Sequence, residues 1–387
     1  MFRFICKSKR SLHRGNFLNG DSSKTLLSRF LEFPYFVKSM SNVSDYDNSF
    51  TVSYLINSCG LSVDKATSIS KKLHLKNSNQ PDSVLAFLRS YGLTTTQISR
   101  SVSLFPGLLS ANPIKTLKPK FEFFRSLGLS EYDLSAVFSD NPFILKVSLT
   151  KRIIPNIDIL KKVVHTDDNI ISIIKRNSRY ALTHDIKETV EHNISLLRIH
   201  GVPESYISKI VAAQPTTILV KGDRFKNIVE EVRKMGFVAS TYAFCTLVQI
   251  LSSMSESTKE EKINTFKKWG WSDEMIDAAI RREPTILSLS EKTIMLKMDY
   301  LVNKMGYAPS LIAKYAALLK YSMEKRIIPR YSIIQVLISN DLVKQKLKPY
   351  PVFRVSNKEF LETFVTKYKN EVPGLVDLYQ GKLAGSK

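Results

Sequence analysis

The stretch GLSEYDLSAVFSDNPFIL, residues 128–145, decides the fold, because its frame recurs along the chain. Gly128 is followed 14 positions later by Pro142, and the same pairing joins Gly92 to Pro106, Gly201 to Pro215 and Gly270 to Pro284. The other three segments read GLTTTQISRSVSLFPGLL, GVPESYISKIVAAQPTTIL and GWSDEMIDAAIRREPTIL. Gly236 and Gly306 keep the frame, the glycine steps from Gly201 being 35, 34 and 36 residues. A fixed period of roughly 20 to 50 residues marks an array of one supersecondary unit, each burying its apolar face by stacking on its neighbours.

Each unit reads as helix, helix and short turn. The segment before the glycine, as in KPKFEFFRSLG, spaces its apolar residues three and four apart and ends in a residue that tolerates a left-handed cap. A polar start follows, such as Ser130 or Ser272 with an acidic residue soon after, then an apolar run that stops just before proline. The proline opens a third, shorter helix carrying Ile-Leu or Leu-Leu. Nothing alternates for long with a period of two. The expected fold is therefore all-α, a superhelical solenoid with one extended curved face.

The gap of 73 residues from Gly128 to Gly201 is close to two periods. It holds an altered unit, ISIIKRNSRYAL, in which Arg179 stands in the proline slot. A second proline follows the first by 13 residues at Pro119 and Pro155, and the same offset links Ala316 in KYAALL to Pro329. The region Leu247–Ser257 lacks the proline motif altogether.

At 387 residues the array amounts to one elongated domain of roughly eight units with no internal linker. Its expected limits are residues 50–355, with residues 356–387 as a C-terminal capping helix and tail. The longest apolar run, TYAFCTLVQIL, is too short to span a bilayer, so no membrane role is expected. Cys6, Cys59 and Cys245 are too scattered for a disulfide framework or a thiolate zinc site. Residues 1–40 stand apart. Met1–Gly20 carries Arg3, Lys7, Lys9, Arg10 and Arg14, no acidic residue and interleaved bulky apolar residues, the pattern of an organelle presequence. Arginine and bulky residues near the start favour the mitochondrion, with the plastid as the alternative and an exposed basic tail as the plain one.

Charge points to a polyanion. The formal net charge is +22, and without residues 1–40 the chain still holds 49 basic against 33 acidic residues, or +16. Such an excess gives affinity for nucleic acid through counterion release. Nine residues after each proline slot stand Lys115, Lys151, Glu188, Arg224, Thr293 and Lys325, four of the six being basic; Arg152 and Arg326 reinforce two of them. Equivalent positions in stacked repeats form a row, so these are the candidate phosphate contacts, extended by Lys118 and Lys120. Lys175, Arg176, Arg281 and Arg282, just before the proline slot, form a secondary cluster. For any one of them the plain alternative is a solvated helix face.

No catalytic constellation stands out. His184, Glu188 and His192 fall at i, i+4, i+8, a spacing that could share a helix face, but no fourth ligand or general base accompanies them. No glycine-rich phosphate loop, nucleophile elbow or HExxH string occurs. The reading is of a non-enzyme without metal or other cofactor.

The segments PIKTLKPKFEFFRSLGLS, SLTKRIIPNIDIL, KWGWSDEMIDAAIRREPTIL, YSMEKRIIPRYSIIQVL and FVTKYKNEVPGLVDLYQGK resemble the plant-type mitochondrial transcription termination factor (mTERF) family, from about Phe50 onward. The resemblance implies left-handed three-helix repeats with a basic concave face that binds double-stranded organellar DNA, or in some members RNA, in transcription termination, initiation or intron splicing. The partners it implies are that nucleic acid and organellar transcription or splicing proteins, with the chain itself a monomer. The two KRIIP segments match the family pattern, which makes Lys151, Arg152, Lys325 and Arg326 the leading candidates; Arg330, just beyond the second, joins the set. Aromatic contacts cannot be placed by motif, so Tyr180, Phe225, Trp269 and Trp271 stand as aromatic candidates, mostly in the core. A helical scaffold without nucleic-acid binding and a pentatricopeptide-type RNA reader are the alternatives. The latter would lack the internal proline.

Overall fold

The computed structural model describes residues 42–343 and 349–384; the expected presequence, residues 1–40, lies outside them. Tyr46–Lys387 forms one compact unit, and among its described residues there are helices and turns but no strand. The chain forms the all-α repeat array that its sequence predicts.

The period is written into the backbone. Among the described residues φ is positive at Gly60, Gly92, Gly128, His165, Gly201, Gly236, Gly270, Gly306, Asp341 and Gly374, successive sites lying 32 to 37 residues apart. All but Gly374 lie one to three residues past the end of a helix. At Gly128 the Lys118–Ser126 helix gives way to Glu131–Asp140, and the Leu129 N–H closes back on the Phe124 carbonyl at 3.3 Å. That bond spans a left-handed residue, which glycine adopts without steric cost. The unit hidden between Gly128 and Gly201 is centred on His165 at φ 62°, and Asp341 at φ 54° extends the frame past Gly306.

Most second helices start on side-chain caps, Thr94 with Gln97 and Ser130 with Asp133 forming reciprocal capping boxes, while Glu204–Ala213 and Pro309–Lys314 start without one. They end where proline would lose its bond, and 3₁₀ turns follow at Pro106–Ser110, Pro142–Leu145, Pro215–Leu219 and Pro284–Ser288. These are the expected short third helices. Each buries its apolar pair, Ile144 with Leu145 for example, at about 1.5–3 kcal/mol per side chain. Ala316–Lys320 makes the same turn without the proline. Where Arg179 replaces proline, the helix Asp167–Thr183 runs unbroken for 17 residues. After Tyr242–Ser252 the chain turns at Ser253 with no 3₁₀ segment.

The second proline also has a structural effect. Pro119, Pro155 and Pro329 each lie just beyond a π turn, at Pro113–Leu117, Leu149–Ile153 and Met323–Ile327. A proline inside a helix removes one N–H and crowds the carbonyl four residues back, and the wider turn relieves both effects. The Ile153 N–H accordingly reaches five residues back to the Ser148 carbonyl at 3.1 Å, and Ile327 reaches Ser322 at 3.0 Å.

A ladder of buried donors ties the first helix of most units to the segment that closes the same unit. Asn156 donates to the carbonyls of Ala181 and His184, Asn193 to Ile218 and Val220, Lys262 to Leu287 and Leu289, and Lys297 to Leu319 and Tyr321, all at 2.6–3.0 Å. Lys120 reaches the Leu145 carbonyl in the same way. Most of these carbonyls close a short turn, where a helix end leaves acceptors unpaired. Burial holds the ammonium groups of Lys120, Lys262 and Lys297 below the usual lysine pKa. At the far end, Asn357–Phe360 and Leu375–Ala384 flank Gly374, and the latter packs on Ile328–Ser339 with Phe360, Leu375 and Tyr379 buried.

Candidate nucleic-acid interface

The first helices begin where the chain leaves each short turn, and this start positions the candidate cations. Asn112, Ser148 and Ser322 are the caps, their side-chain oxygens accepting from the N–H of Lys115, Lys151 and Lys325 at 2.8, 3.1 and 3.1 Å. Three separate units thus place a lysine at the same third helical position. All three lysines are exposed. Glu122 pairs with Lys118 at 3.6 Å, Asp185 pairs with Arg152 at 2.7 Å and Glu324 accepts from the Ser322 hydroxyl at 3.2 Å, and no ion pair occupies the three lysines among the described residues.

The location of Lys115 and Lys151 runs against helix electrostatics, whereas Glu324 shares the first turn with Lys325. A helix start carries a partial positive charge that carboxylates offset, yet the first turns at Pro113–Leu117 and Leu149–Ile153 hold no acidic residue and a lysine each. Cationic side chain and oriented N–H groups add to one local field that favours an anion. Thr293 fills the same position with Ser290 as its cap.

The other candidates are more constrained. The Arg152 guanidinium holds the Asp185 carboxyl below the usual carboxylate range through their hydrogen bond. Arg326 lies over the Tyr321 ring at 4.8 Å and reaches the Phe353 carbonyl at 3.5 Å. Arg224 donates to the Met254 carbonyl at 2.5 Å. In the secondary cluster Lys175 pairs with Asp133 at 2.7 Å, while Arg176, Arg281 and Arg282 are exposed.

Two basic residues belong to the interior. Arg330 is fully buried, donates to the carbonyls of Val352, Phe353 and Val355, and lies 4.6 Å over the Phe360 ring. It is the arginine version of the buried ladder, so it is dropped from the interface; Lys120 follows it for the same reason. The ladder was missed by sequence reasoning, although its signal was there: a polar residue 13 or 14 positions after most proline slots, on an otherwise apolar helix face.

The His184, Glu188 and His192 spacing does not describe one helix face, because His184 ends one helix and the next begins at Lys187. Among the described residues no group of three could hold a metal ion. Of the aromatic candidates, Phe225 and Trp271 are buried, Trp271 stacking on Phe266, and Trp269 is partly buried; Tyr180 is exposed. Among the described residues no helix is long and apolar enough to cross a membrane.

The architecture defines an all-α helical-repeat protein with a cation recurring at one helical position. The mTERF family model matches residues 85–243 and 244–363, and the chain belongs to the mTERF family. It is 22% identical over 281 residues to the transcription termination factor MTERF15, mitochondrial, of Arabidopsis thaliana, covering 73% of this chain and 54% of that protein. It is 21% identical over 275 residues to the transcription termination factor MTERF8, chloroplastic, of the same plant, covering 68% and 52%. The chain spans about half the length of the curated relatives it matches.

Proposed function

We propose that the chain is an organellar nucleic-acid-binding regulator of gene expression that grips double-stranded DNA through its recurrent helix-start cations to affect transcription termination or initiation. The observation that carries this reading is the trio Lys115, Lys151 and Lys325, exposed at one structural position in three units. A charge of +16 outside residues 1–40 supplies the sequence-independent affinity. The names of both relatives support an organelle, and the composition of Met1–Gly20 favours the mitochondrion over the plastid.

Contacts of this kind fix register on a backbone without reading bases, so whatever specificity exists comes from how readily a sequence bends or unwinds. Binding of the full chain to duplex and single-stranded probes across a salt series tests the reading. Each neutralised phosphate adds about 0.9 to the log–log salt slope for duplex DNA and about 0.7 for a single strand. Steep salt dependence with preference for duplex supports the proposal. Preference for single-stranded RNA would move it to intron splicing or RNA processing, and salt-independent or absent binding would leave a protein scaffold.

A further inference from the structure

The left-handed turns form an apolar edge of the array. Val63, Tyr132, Ile199, Val238 and Tyr242, half of the exposed large apolar side chains among the described residues, lie from two residues before to six after a left-handed residue. The edge is densest at two neighbouring units, those of Gly201 and Gly236. There Lys187–Ile199 packs on Gly222–Lys234, and Glu204–Ala213 packs on Tyr242–Ser252. Tyr206 and Tyr242 meet edge to face across the junction at 5.8 Å, while Ile199 is 80% exposed and Val238 62%. Met235, Phe237 and Ala239 belong to the same turn and are only partly covered. An apolar cluster rimmed by polar groups marks a surface that another molecule covers.

Charge narrows what that molecule is. Residues 196–209 and 230–243 hold four Lys or Arg against three carboxylates, a net +1, in a chain that carries +16 outside residues 1–40. Most of these groups are paired within the chain: Arg198 with Glu204 at 2.6 Å, Arg233 and His200 with Glu230 at 3.5 Å, and Glu231 with Lys259 at 2.9 Å. An acidic protein or an anionic lipid surface is drawn to a basic rim, and this rim is close to neutral. The same edge of a second copy matches it in both apolarity and charge, and a two-fold axis sets such a patch on itself. Ile199 and Val238 each stand two residues from a glycine with open space beside it, so the projecting groups of one copy have gaps to enter on the other.

Repulsion between two basic chains is weak at this edge. Each first helix begins at the lysine position and ends at the left-handed residue, so residues 113–126 separate the two by a rise of about 20 Å. That exceeds the screening length of about 8 Å at physiological salt. We infer that the chain forms a two-fold dimer through its Gly201 and Gly236 turns, with Ile199, Tyr206, Val238 and Tyr242 at the centre of the interface and the helix-start lysines left open. The dimer departs from the monomer that the family resemblance implies, and it does not rest on the nucleic-acid reading.

Sedimentation velocity of the nuclease-treated full chain over a range of concentrations tests it, at low salt and at about 0.5 M, where bridging by residual nucleic acid is screened. The wild type should sediment as a dimer under both conditions. Ile199→Glu with Val238→Glu should raise the half-dissociation concentration about tenfold or more while keeping the wild-type circular dichroism, and Tyr242→Ser alone should weaken the dimer less. Ile199→Val with Val238→Ile should leave it intact, as should Tyr132→Glu, an equally exposed site outside the patch. A wild type that stays monomeric, a dimer that dissolves at the higher salt, or a dimer that the glutamate pair leaves unchanged overturns the inference. Monomers that float with phosphatidylserine-containing vesicles, and lose this in the glutamate pair, would assign the edge to a membrane and overturn it as well.

Discussion

Replacing Lys297 by methionine isolates one rung of the buried ladder. Lys297 is 7% exposed, and its ammonium donates to the carbonyls of Leu319 and Tyr321 at 2.6 and 2.9 Å. Methionine keeps the length and apolar stem but leaves both acceptors unpaired. Two charge-assisted bonds at about 1.5–3 kcal/mol each are lost, and the desolvation cost of a buried ammonium is recovered, so the net destabilisation is about 2–4 kcal/mol. Urea denaturation at neutral pH reads this as a lower midpoint at unchanged slope. Titration gives an independent sign. Burial lowers the Lys297 pKa, so the folded chain releases that proton at lower pH than the unfolded chain does. Protonation of the unfolded state therefore weakens the wild type below the lowered pKa, and stability rises as pH climbs through it towards the ordinary lysine value. Lys297→Met lacks that rise, and its deficit should widen in the alkaline range. A deficit under about 0.5 kcal/mol, or one that narrows with rising pH, would refute the reasoning.

Thermal denaturation should rank the left-handed positions by what a side chain meets there. Gly201→Ala, with nothing within 4 Å of the added carbon, should cost about 1 kcal/mol of backbone strain, and Gly128→Ala more, because the new carbon would stand 3.2 Å from Ile171 Cδ1. His165→Gly should be neutral to stabilising by about 1 kcal/mol, relief at φ 62° being partly offset by a more flexible unfolded chain. Ser148→Ala, which removes the cap on the Lys151 amide, should cost about 1 kcal/mol and speed hydrogen exchange at that amide.

The repeat frame was legible because its two markers are residues with backbone consequences, a left-handed glycine and a proline that breaks a helix. It faded where another residue met the same demand. His165 and Asp341 adopt positive φ without announcing it, and Ala316 opens a 3₁₀ turn with no proline. The nine-residue offset to Lys115, Lys151 and Lys325 was readable, since helix starts inherit the period; the cap that fixes their position was not. Arg330 was misplaced because charge was equated with exposure, whereas a periodic row of carbonyl acceptors gives an arginine a place inside. The altered motif at Arg179 was visible as a departure. That it lengthens a helix and stacks Tyr180 on His184 depends on packing that no single spacing encodes.

The most direct measurement compares duplex-DNA binding by the wild type and by the Lys115→Ala, Lys151→Ala, Lys325→Ala triple variant across a salt series, with equal folding shown by circular dichroism. Loss of three phosphate contacts should weaken binding to unrelated sequences alike and reduce the log–log slope by about 2.7. Parallel salt curves for the two proteins would contradict a track of helix-start lysines on the nucleic-acid backbone.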